Sequence, residues 1–215
     1  MKILLFGATG AVGNAALEAC ASASIVDEIR VIARRPLMNT SPKLRTYVHK
    51  DFLNYATVEE AFRGVDACLF CLGISITRVS KEEYRTITYS YTLAAANMLK
   101  RHSPGAAFHY ISGKGTAPNS RMFWSRVKAQ TEHDLIELID ADCWRPAFID
   151  TAPSPSLPKL LAATYPLWRL LKPFPRLYVH GHDLARAMLE ATRQNLRRCI
   201  LENPEIRQLA ARATW

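Results

Sequence analysis

The chain has 215 residues, of which 49% are hydrophobic, and a formal net charge of +9 at pH 7. This composition can bury one sizeable core, so we expect a single domain over residues 1–215, without internal repeats or low-complexity segments. No apolar stretch is long enough to cross a bilayer and no signal peptide is recognisable, so we expect a soluble, cytoplasmic protein that does not bind membranes.

The positive charge is scattered along the chain, for example at Arg34-Arg35, Lys100-Arg101 and Arg197-Arg198. It forms no dense basic stripe with interleaved aromatic residues, so the sequence does not favour a nucleic-acid partner.

The five cysteines are an odd number without the spacing of a disulfide framework, which indicates free thiols. Cys68 and Cys71 have the spacing of a redox motif, but they lie in an apolar strand. We interpret them as buried structural residues, with a redox or metal role as the alternative.

β-rich apolar runs alternate with helical patterns along the chain. The predicted strands are residues 3–6, 29–33, 46–49, 67–72, 108–112, 143–145 and 177–179. The predicted helices are residues 11–22, 58–63, 81–101, 121–139 and 183–195. This alternation is typical of a doubly wound α/β fold, in which helices cover both faces of a parallel sheet and ligands bind at the carboxyl ends of the strands.

Six of the 12 prolines fall between Pro153 and Pro175 and interrupt the alternation. We expect a lid-like insertion at about 151–176, a small C-terminal substrate region, with a subunit interface or a plain core helix as alternatives. Tyr165 and Trp168 lie in this segment. If they are exposed, they indicate a homodimer.

A glycine turn joins the first strand to the first helix, with Gly7, Gly10 and Gly13 at three-residue spacing. Glycine permits the tight turn, the close approach of a phosphate and the packing of the helix on the strand. The helix N-terminus then offers N–H groups and the positive end of its dipole. The turn predicts a dinucleotide pyrophosphate site, formed by Gly7, Thr9, Gly10, Ala11, Val12 and Gly13.

Several short motifs occur in a characteristic order. They are Phe6-Gly7-Ala8-Thr9-Gly10, Asp51-Phe52, Cys71-Leu72-Gly73, Tyr110-Ile111-Ser112, Arg145-Pro146 and His182-Asp183-Leu184-Ala185-Arg186-Ala187-Met188. In these motifs the chain resembles the short-chain dehydrogenase/reductase superfamily over nearly its whole length. It is similar to the atypical branch that contains the Tat-interacting-protein-like oxidoreductases, which implies a Rossmann fold that binds NAD(P).

The resemblance implies that Asp51 and Phe52 flank the adenine, and that Leu72 and Gly73 pass behind the adenine ribose. Where an acid would bind the ribose 2′-hydroxyl after the second strand, this chain has Arg34-Arg35. Guanidinium groups pair with a 2′-phosphate, so NADP(H) is favoured over NAD(H). The alternative is a pair of solvated surface arginines.

The resemblance also implies that Ser112 polarises a substrate carbonyl and that Lys128 holds the nicotinamide ribose. The family's proton-donating tyrosine is replaced by Trp124, whose indole N–H cannot act as an acid near neutral pH. Tyr84, Tyr165, Tyr178 or a water relay through Ser112 are conceivable substitutes. Tyr110 and Ser125 are expected to point elsewhere, the first toward the core and the second around the helix.

Two functions therefore stay open. The first is an NADP-dependent oxidoreductase that acts on a carbonyl or alcohol of a small-molecule substrate. The second is a non-catalytic NADP(H)-binding regulator or redox sensor, in which Trp124 walls the ligand pocket. The run His180-Gly181-His182-Asp183 is interpreted as a helix start, where Asp183 caps or charges the first turn, and we expect no metal site.

Overall fold

The computed structural model describes residues 1–38, 41–151 and 169–215. Its strands are β1 (Lys2–Phe6), β2 (Glu28–Ala33), β3 (Leu44–Val48), β4 (Ala67–Phe70), β5 (Ala107–Ile111), β6 (Asp142–Arg145), β7 (Phe148–Asp150), β8 (Tyr178–His180) and β9 (Ile200–Glu202). Its α-helices are α1 (Ala11–Ser22), α2 (Lys81–Arg85), α3 (Tyr91–His102), α4 (Phe123–Ile139), α5 (Gly181–Arg193) and α6 (Asn203–Arg212). A π-helical turn over Thr86–Ser90 joins α2 to α3, and 3-10 turns cover Ala56–Phe62, Ile76–Arg78 and Arg169–Leu171.

Seven strands form one parallel sheet in the order β3-β2-β1-β4-β5-β6-β9. The predicted doubly wound α/β fold is confirmed. The chain leaves β1 toward β2 on one side and returns to β4 on the other. The order of strands therefore reverses at β1, and the loop after β1 opens into the crevice where such folds bind ligands.

Two apolar layers sandwich this sheet. In β1, Ile3 and Leu5 pack against α1, α5 and α6, whereas Leu4 and Phe6 pack into an aromatic cluster under α3 and α4. All four side chains are fully buried. A continuous apolar run, rather than an alternating one, is the pattern expected of a parallel strand covered on both faces.

The structure corrects several predicted elements. Residues 177–179 overlap β8, which pairs with β7 in a separate two-stranded sheet, and the seventh place in the main sheet belongs to β9. β9 has three residues of which only Leu201 is buried, too little for an apolar pattern. The predicted helix 81–101 contains the π-helical turn, and the predicted helix 58–63 is a 3-10 turn.

The central part of the predicted lid, residues 152–168 with Tyr165 and Trp168, lies outside the described residues. The lid and the homodimer therefore stay predictions. In the described part of the chain, no helix combines the length and apolar character required to span a membrane.

The cysteines are free thiols, and the pair with redox spacing is separated by the sheet. Cys68 packs in the aromatic cluster on one face, whereas Cys71 packs against the layer that contains α1. Burial raises the pKa of Cys20 to about 12 and also raises the pKa of Cys68 and Cys71. This supports the structural interpretation of the pair.

Helix α5 begins in close contact with α1, at a glycine. A Cβ atom on Gly181 would lie 2.7 Å from Thr151 Cγ2 and 2.9 Å from Ala15 Cβ. Both distances are shorter than van der Waals contact, so the hydrogen of glycine is what lets the two helices meet at this point.

We predict that Gly181→Ala destabilises the fold by overpacking, by about 1–3 kcal/mol. For a domain of this size that lowers the thermal midpoint by roughly 2–4 °C per kcal/mol, measurable by calorimetry. The matched control is Gly105→Ala, since a Cβ at Gly105 meets no atom within 4 Å. Equal midpoints for the two variants would contradict the packing argument.

Candidate functional site

A cavity of about 700 Å³ opens at the carboxyl ends of the strands around β1. Its walls come from the loops that follow β1, β2, β3 and β4. The lining residues are Gly7, Ala8, Thr9, Ile32, Ala33, Arg34, Arg35, Pro36, Lys50, Phe52 and Leu72. The cavity therefore occupies the ligand crevice that the strand order defines.

The glycine turn forms the floor of this cavity, and two of its glycines are sterically required. Gly7 has φ +77°, and a Cβ there would lie 2.6 Å from the carbonyl oxygen of Cys71. A Cβ on Gly13 would lie 2.0 Å from the carbonyl oxygen of Gly7. Gly10 closes the turn by donating its N–H to the same oxygen at 2.8 Å. The turn thus brings the start of α1 directly onto the end of β1.

The N-terminus of α1 is open to an anion. No side chain caps it and its first turn contains no acidic residue. Thr9 and Gly10 are exposed, and Ala11 and Val12 are partly exposed. The first N–H groups of a helix have no partner within the helix, and they carry the positive end of its dipole. The predicted pyrophosphate residues fit that role.

Three cations line the cavity just after the ends of β2 and β3. Arg34, Arg35 and Lys50 are exposed, and none forms an ion pair with another described residue. Among the described residues that line the cavity, none carries a carboxylate. This part of the cavity therefore attracts anions.

Of the residues predicted to surround the adenosine, two line the cavity and two do not. Phe52 lines the cavity and packs against Phe6, with ring centroids 6.3 Å apart. Leu72 also lines it, but Gly73 is exposed beyond its described wall. Asp51 does not line the described wall either, and its carboxylate accepts a hydrogen bond from the N–H of Leu53 at 3.0 Å.

Ser112 lies just after β5, buried, with its hydroxyl oxygen 3.1 Å from the hydroxyl oxygen of Thr116. Thr116 donates its own proton to the carbonyl oxygen of Gly113 at 2.8 Å. Ser112 must therefore be the donor in the contact with Thr116. Its hydroxyl proton becomes available to a substrate oxygen when the O–H bond of Ser112 turns away from Thr116.

Lys128 on α4 reaches back to the end of β5. Its ammonium donates to the carbonyl oxygens of Ile111 at 2.9 Å and Ser112 at 3.2 Å, and lies 5.2 Å from the centre of the Tyr110 ring. Burial lowers the pKa of Lys128 to about 8, while the nearby carboxylate of Glu132 opposes the shift. The lysine thus fixes α4 to the strand end next to Ser112.

No described tyrosine takes the place that Trp124 occupies one helical turn before Lys128. Tyr84 is 2% exposed, and Tyr178 is buried with its hydroxyl donating to Asp150. Tyr110 is 1% exposed, in the core as expected, and burial raises its pKa. Tyr165 lies outside the described residues.

The Ser125 side chain is hydrogen-bonded to the backbone of the loop before α4. Its hydroxyl donates to the carbonyl oxygen of Gly115 at 2.8 Å and accepts from the N–H of Ala117 at 2.9 Å. Trp124 itself is partly buried, with its ring edge close to Gly115. Ser125 therefore shapes the loop beside Trp124 and does not face the cavity.

The histidine run starts α5. His180 is the N-cap, accepting from the N–H of His182 at 3.3 Å, and Asp183 lies in the first turn. His182 lies 2.9 Å from a carboxylate oxygen of Glu18. Across the residues that the structure describes, no three His, Cys, Asp or Glu side chains are grouped to hold a metal.

Among the described lining residues, Lys50 is the charged residue that the sequence did not predict. It directly precedes the predicted Asp51-Phe52 pair, but an exposed lysine has no motif of its own. Only the position of β3 beside β2 brings Lys50 to the same cavity as Arg34 and Arg35.

The fold and the glycine turn define a Rossmann-type α/β protein. No known family profile matches the chain. In sequence it is 28% identical over 141 residues to Leucinostatins biosynthesis cluster protein T of Purpureocillium lilacinum, covering 64% of this chain and 52% of that protein. It is 26% identical over 141 residues to Protein FMP52, mitochondrial, of Eremothecium gossypii, covering 64% and 61%. The match thus spans little more than half the length of these relatives.

Solved structures share the fold at low sequence identity. MoeE5 in complex with UDP-glucose and NAD has a TM-score of 0.69 at 13% identity, covering all of this chain and 82% of that one. UDP-glucuronic acid 4-epimerase from Bacillus cereus, in complex with NAD, has a TM-score of 0.68 at 15% identity, covering 94% and 76%. DesIV, a dTDP-glucose 4,6-dehydratase from Streptomyces venezuelae with NAD bound, has a TM-score of 0.68 at 16% identity, covering 99% and 80%. These likenesses show that the fold is the one found in NAD-binding Rossmann proteins.

We predict that Lys128 titrates near pH 8, below the ordinary lysine value of about 10.4, because burial disfavours its charged form. The measurement is the shift of the lysine Cε carbon in 13C-lysine-labelled protein, with the signal assigned by its loss in Lys128→Arg. Glu132→Gln should lower the midpoint further, because it removes the carboxylate that favours the ammonium. A midpoint at the ordinary value would contradict this assignment.

Proposed function

We propose that the chain is an NADP(H)-binding oxidoreductase of the short-chain dehydrogenase/reductase type, acting on a carbonyl or alcohol of a small molecule. The observation that carries the proposal is one cavity that joins an uncapped glycine turn to three cations that form no ion pair with another described residue, with no carboxylate among its described lining residues. MoeE5, the Bacillus cereus epimerase and DesIV were each solved with NAD bound, which supports a nicotinamide dinucleotide as the ligand. The ordered motifs support the atypical branch, and a cytoplasmic location is part of the same proposal.

The residues present fit the two charged parts of such a cofactor. The open N-terminus of α1, from Gly10 to Gly13, would bind the pyrophosphate. Arg34 and Arg35 would bind the 2′-phosphate, since a guanidinium pairs with a phosphate through two parallel hydrogen bonds. An acid in that place would repel the phosphate, so we propose that NADP(H) is preferred over NAD(H).

The reacting end depends on Ser112, Lys128 and Trp124. A bound nicotinamide supplies a hydride donor or acceptor. Ser112 would rotate away from Thr116 and donate to the substrate oxygen. Lys128 would hold the end of β5 and place a positive charge beside the site. Trp124 would form an apolar wall that limits access of water.

We predict that NADPH binds at least about tenfold more tightly than NADH, a difference of roughly 1.4 kcal/mol. In the double variant Arg34→Ala/Arg35→Ala, this preference should disappear because NADPH binding weakens. Calorimetry with each nucleotide measures both values. The control is Arg45→Ala, an exposed arginine on β3 whose guanidinium pairs with Glu28 at 3.2 Å. If the wild type binds neither nucleotide, the proposed function fails.

The second candidate is a non-catalytic NADP(H)-binding regulator or redox sensor. Trp124 favours it, because the indole cannot transfer the proton that carbonyl reduction needs. In that case the cavity keeps its binding role, and Lys128 and Ser112 serve the structure of the strand end. Tight NADPH binding without turnover would select this function.

We predict that Trp124→Tyr increases NADPH-dependent carbonyl reduction, because it restores an acid one turn before Lys128. General acid catalysis contributes about 10²–10⁴-fold to a rate, and a residue newly placed in an existing site should supply the lower part of that range. The assay follows NADPH absorbance with a panel of aldehydes, ketones and quinones. Trp124→Phe, which removes the indole without adding an acid, is the control. If the tyrosine and phenylalanine variants have equal rates, Trp124 does not occupy the acid position.

A further inference from the structure

We propose that Lys50 is a specificity-determining residue, whose ammonium binds the 2′-phosphate of NADP(H) from the β3 side of the cavity. This inference rests on the proposed function and narrows it, because it adds a residue outside the loop after β2 to the group that recognises the phosphate. Three observations support it. Strand register places Lys50 beside Arg34, the residues next to Lys50 are hydrogen-bonded within the fold, and the cavity is lined by cations.

Register places Lys50 beside the arginines. Strands β2 and β3 are parallel neighbours, with Ala33 opposite Val48. The ladder ends where the N–H of His49 donates to the carbonyl oxygen of Ala33 at 2.9 Å. Arg34 and Lys50 are therefore each the first residue beyond that last bond, on strands about 4.8 Å apart. Both line the same cavity.

The neighbours of Lys50 are engaged in the fold. His49 is buried, and its Nε2 lies 2.6 Å from the carbonyl oxygen of Asp51, which can only accept, so Nε2 carries the proton. Asp51 turns its carboxylate to the N–H of Leu53 at 3.0 Å. Lys50 is exposed, forms no ion pair with another described residue, and borders the cavity.

The chemistry of the ligand suits three cations. A phosphate monoester carries a charge of about −1.5 to −2 near neutral pH and offers three acceptor oxygens. Arginine approaches such a group edge-on with a fixed pair of donors, whereas lysine approaches as a compact charge with three rotatable donors. Arg34 and Arg35 on one strand end with Lys50 on the next can therefore contact different oxygens of one phosphate. The free 2′-hydroxyl of NADH is uncharged, so the same ammonium gains much less from it than from a phosphate.

The test compares Lys50→Gln, Lys50→Arg and the wild type by calorimetry. The control variant is Lys100→Gln, which removes an exposed lysine of α3 that does not line the cavity. The ligands are NADPH and NADH, together with adenosine 2′,5′-bisphosphate and adenosine 5′-monophosphate, two fragments that differ by the 2′-phosphate alone. Thermal midpoints check that each variant is folded.

We expect Lys50→Gln to weaken NADPH and adenosine 2′,5′-bisphosphate by about three- to tenfold, the effect of one charge-assisted contact. NADH and adenosine 5′-monophosphate should be unaffected, and Lys50→Arg should restore most of the lost affinity. If the wild type prefers NADPH and Lys50→Gln keeps that preference in full, Lys50 is a surface lysine only, and the proposed function stands without it. An equal loss for NADPH and NADH overturns the role in reading the 2′-phosphate. If the wild type binds neither nucleotide, the proposed function and this inference fail together.

Discussion

The close approach of helix α1 to strand β1 is the constraint on which the rest of the structure depends. It requires that Gly13 have no side chain, because a Cβ would lie 2.0 Å from the carbonyl oxygen of Gly7. Gly181 must likewise lack a side chain, because α5 meets α1 at that residue. These two contacts fix the spacing of one helical layer over the sheet. The same approach places the uncapped end of α1 at the crevice beside β1, so the packing and the proposed anion site follow from one geometry.

The polar side chains of the cavity and those at the end of β5 differ in whether they bind other groups of the protein. In the cavity, Arg34, Arg35 and Lys50 are exposed and without an ion pair to another described residue. At the end of β5, Ser112 is hydrogen-bonded to Thr116, and Lys128 is held by two backbone carbonyl oxygens. In the proposed function, nucleotide recognition and proton transfer would therefore depend on different residues. Trp124 is not among the described residues that line the cavity, so the same cavity geometry is compatible with both proposed functions, a reductase or a regulator.

Much of this architecture follows from the sequence, because the signals are local. The apolar runs predict β1 to β6, and the glycine spacing predicts the turn after β1. β9 could not be predicted, since Leu201 is its only buried residue. Helix α6 did carry start signals, namely Pro204 in its first turn and Glu205, whose carboxylate accepts from the N–H of Glu202. No local sequence pattern places Lys50 at the cavity, because its position depends on the register of β3 against β2. The direction of the Ser112 hydrogen bond could not be predicted either, because it depends on where Thr116 donates its proton.

The burial of the cysteines has a consequence for how this chain can respond to oxidants. Burial raises the pKa of all five thiols, so almost none is present as thiolate at neutral pH. Peroxides and disulfides react with cysteine thiolates, and the thiols of this protein are therefore poor targets for them. In the proposed regulatory function, the chain would therefore respond to the balance of reduced and oxidised nucleotide rather than to oxidation of its own thiols.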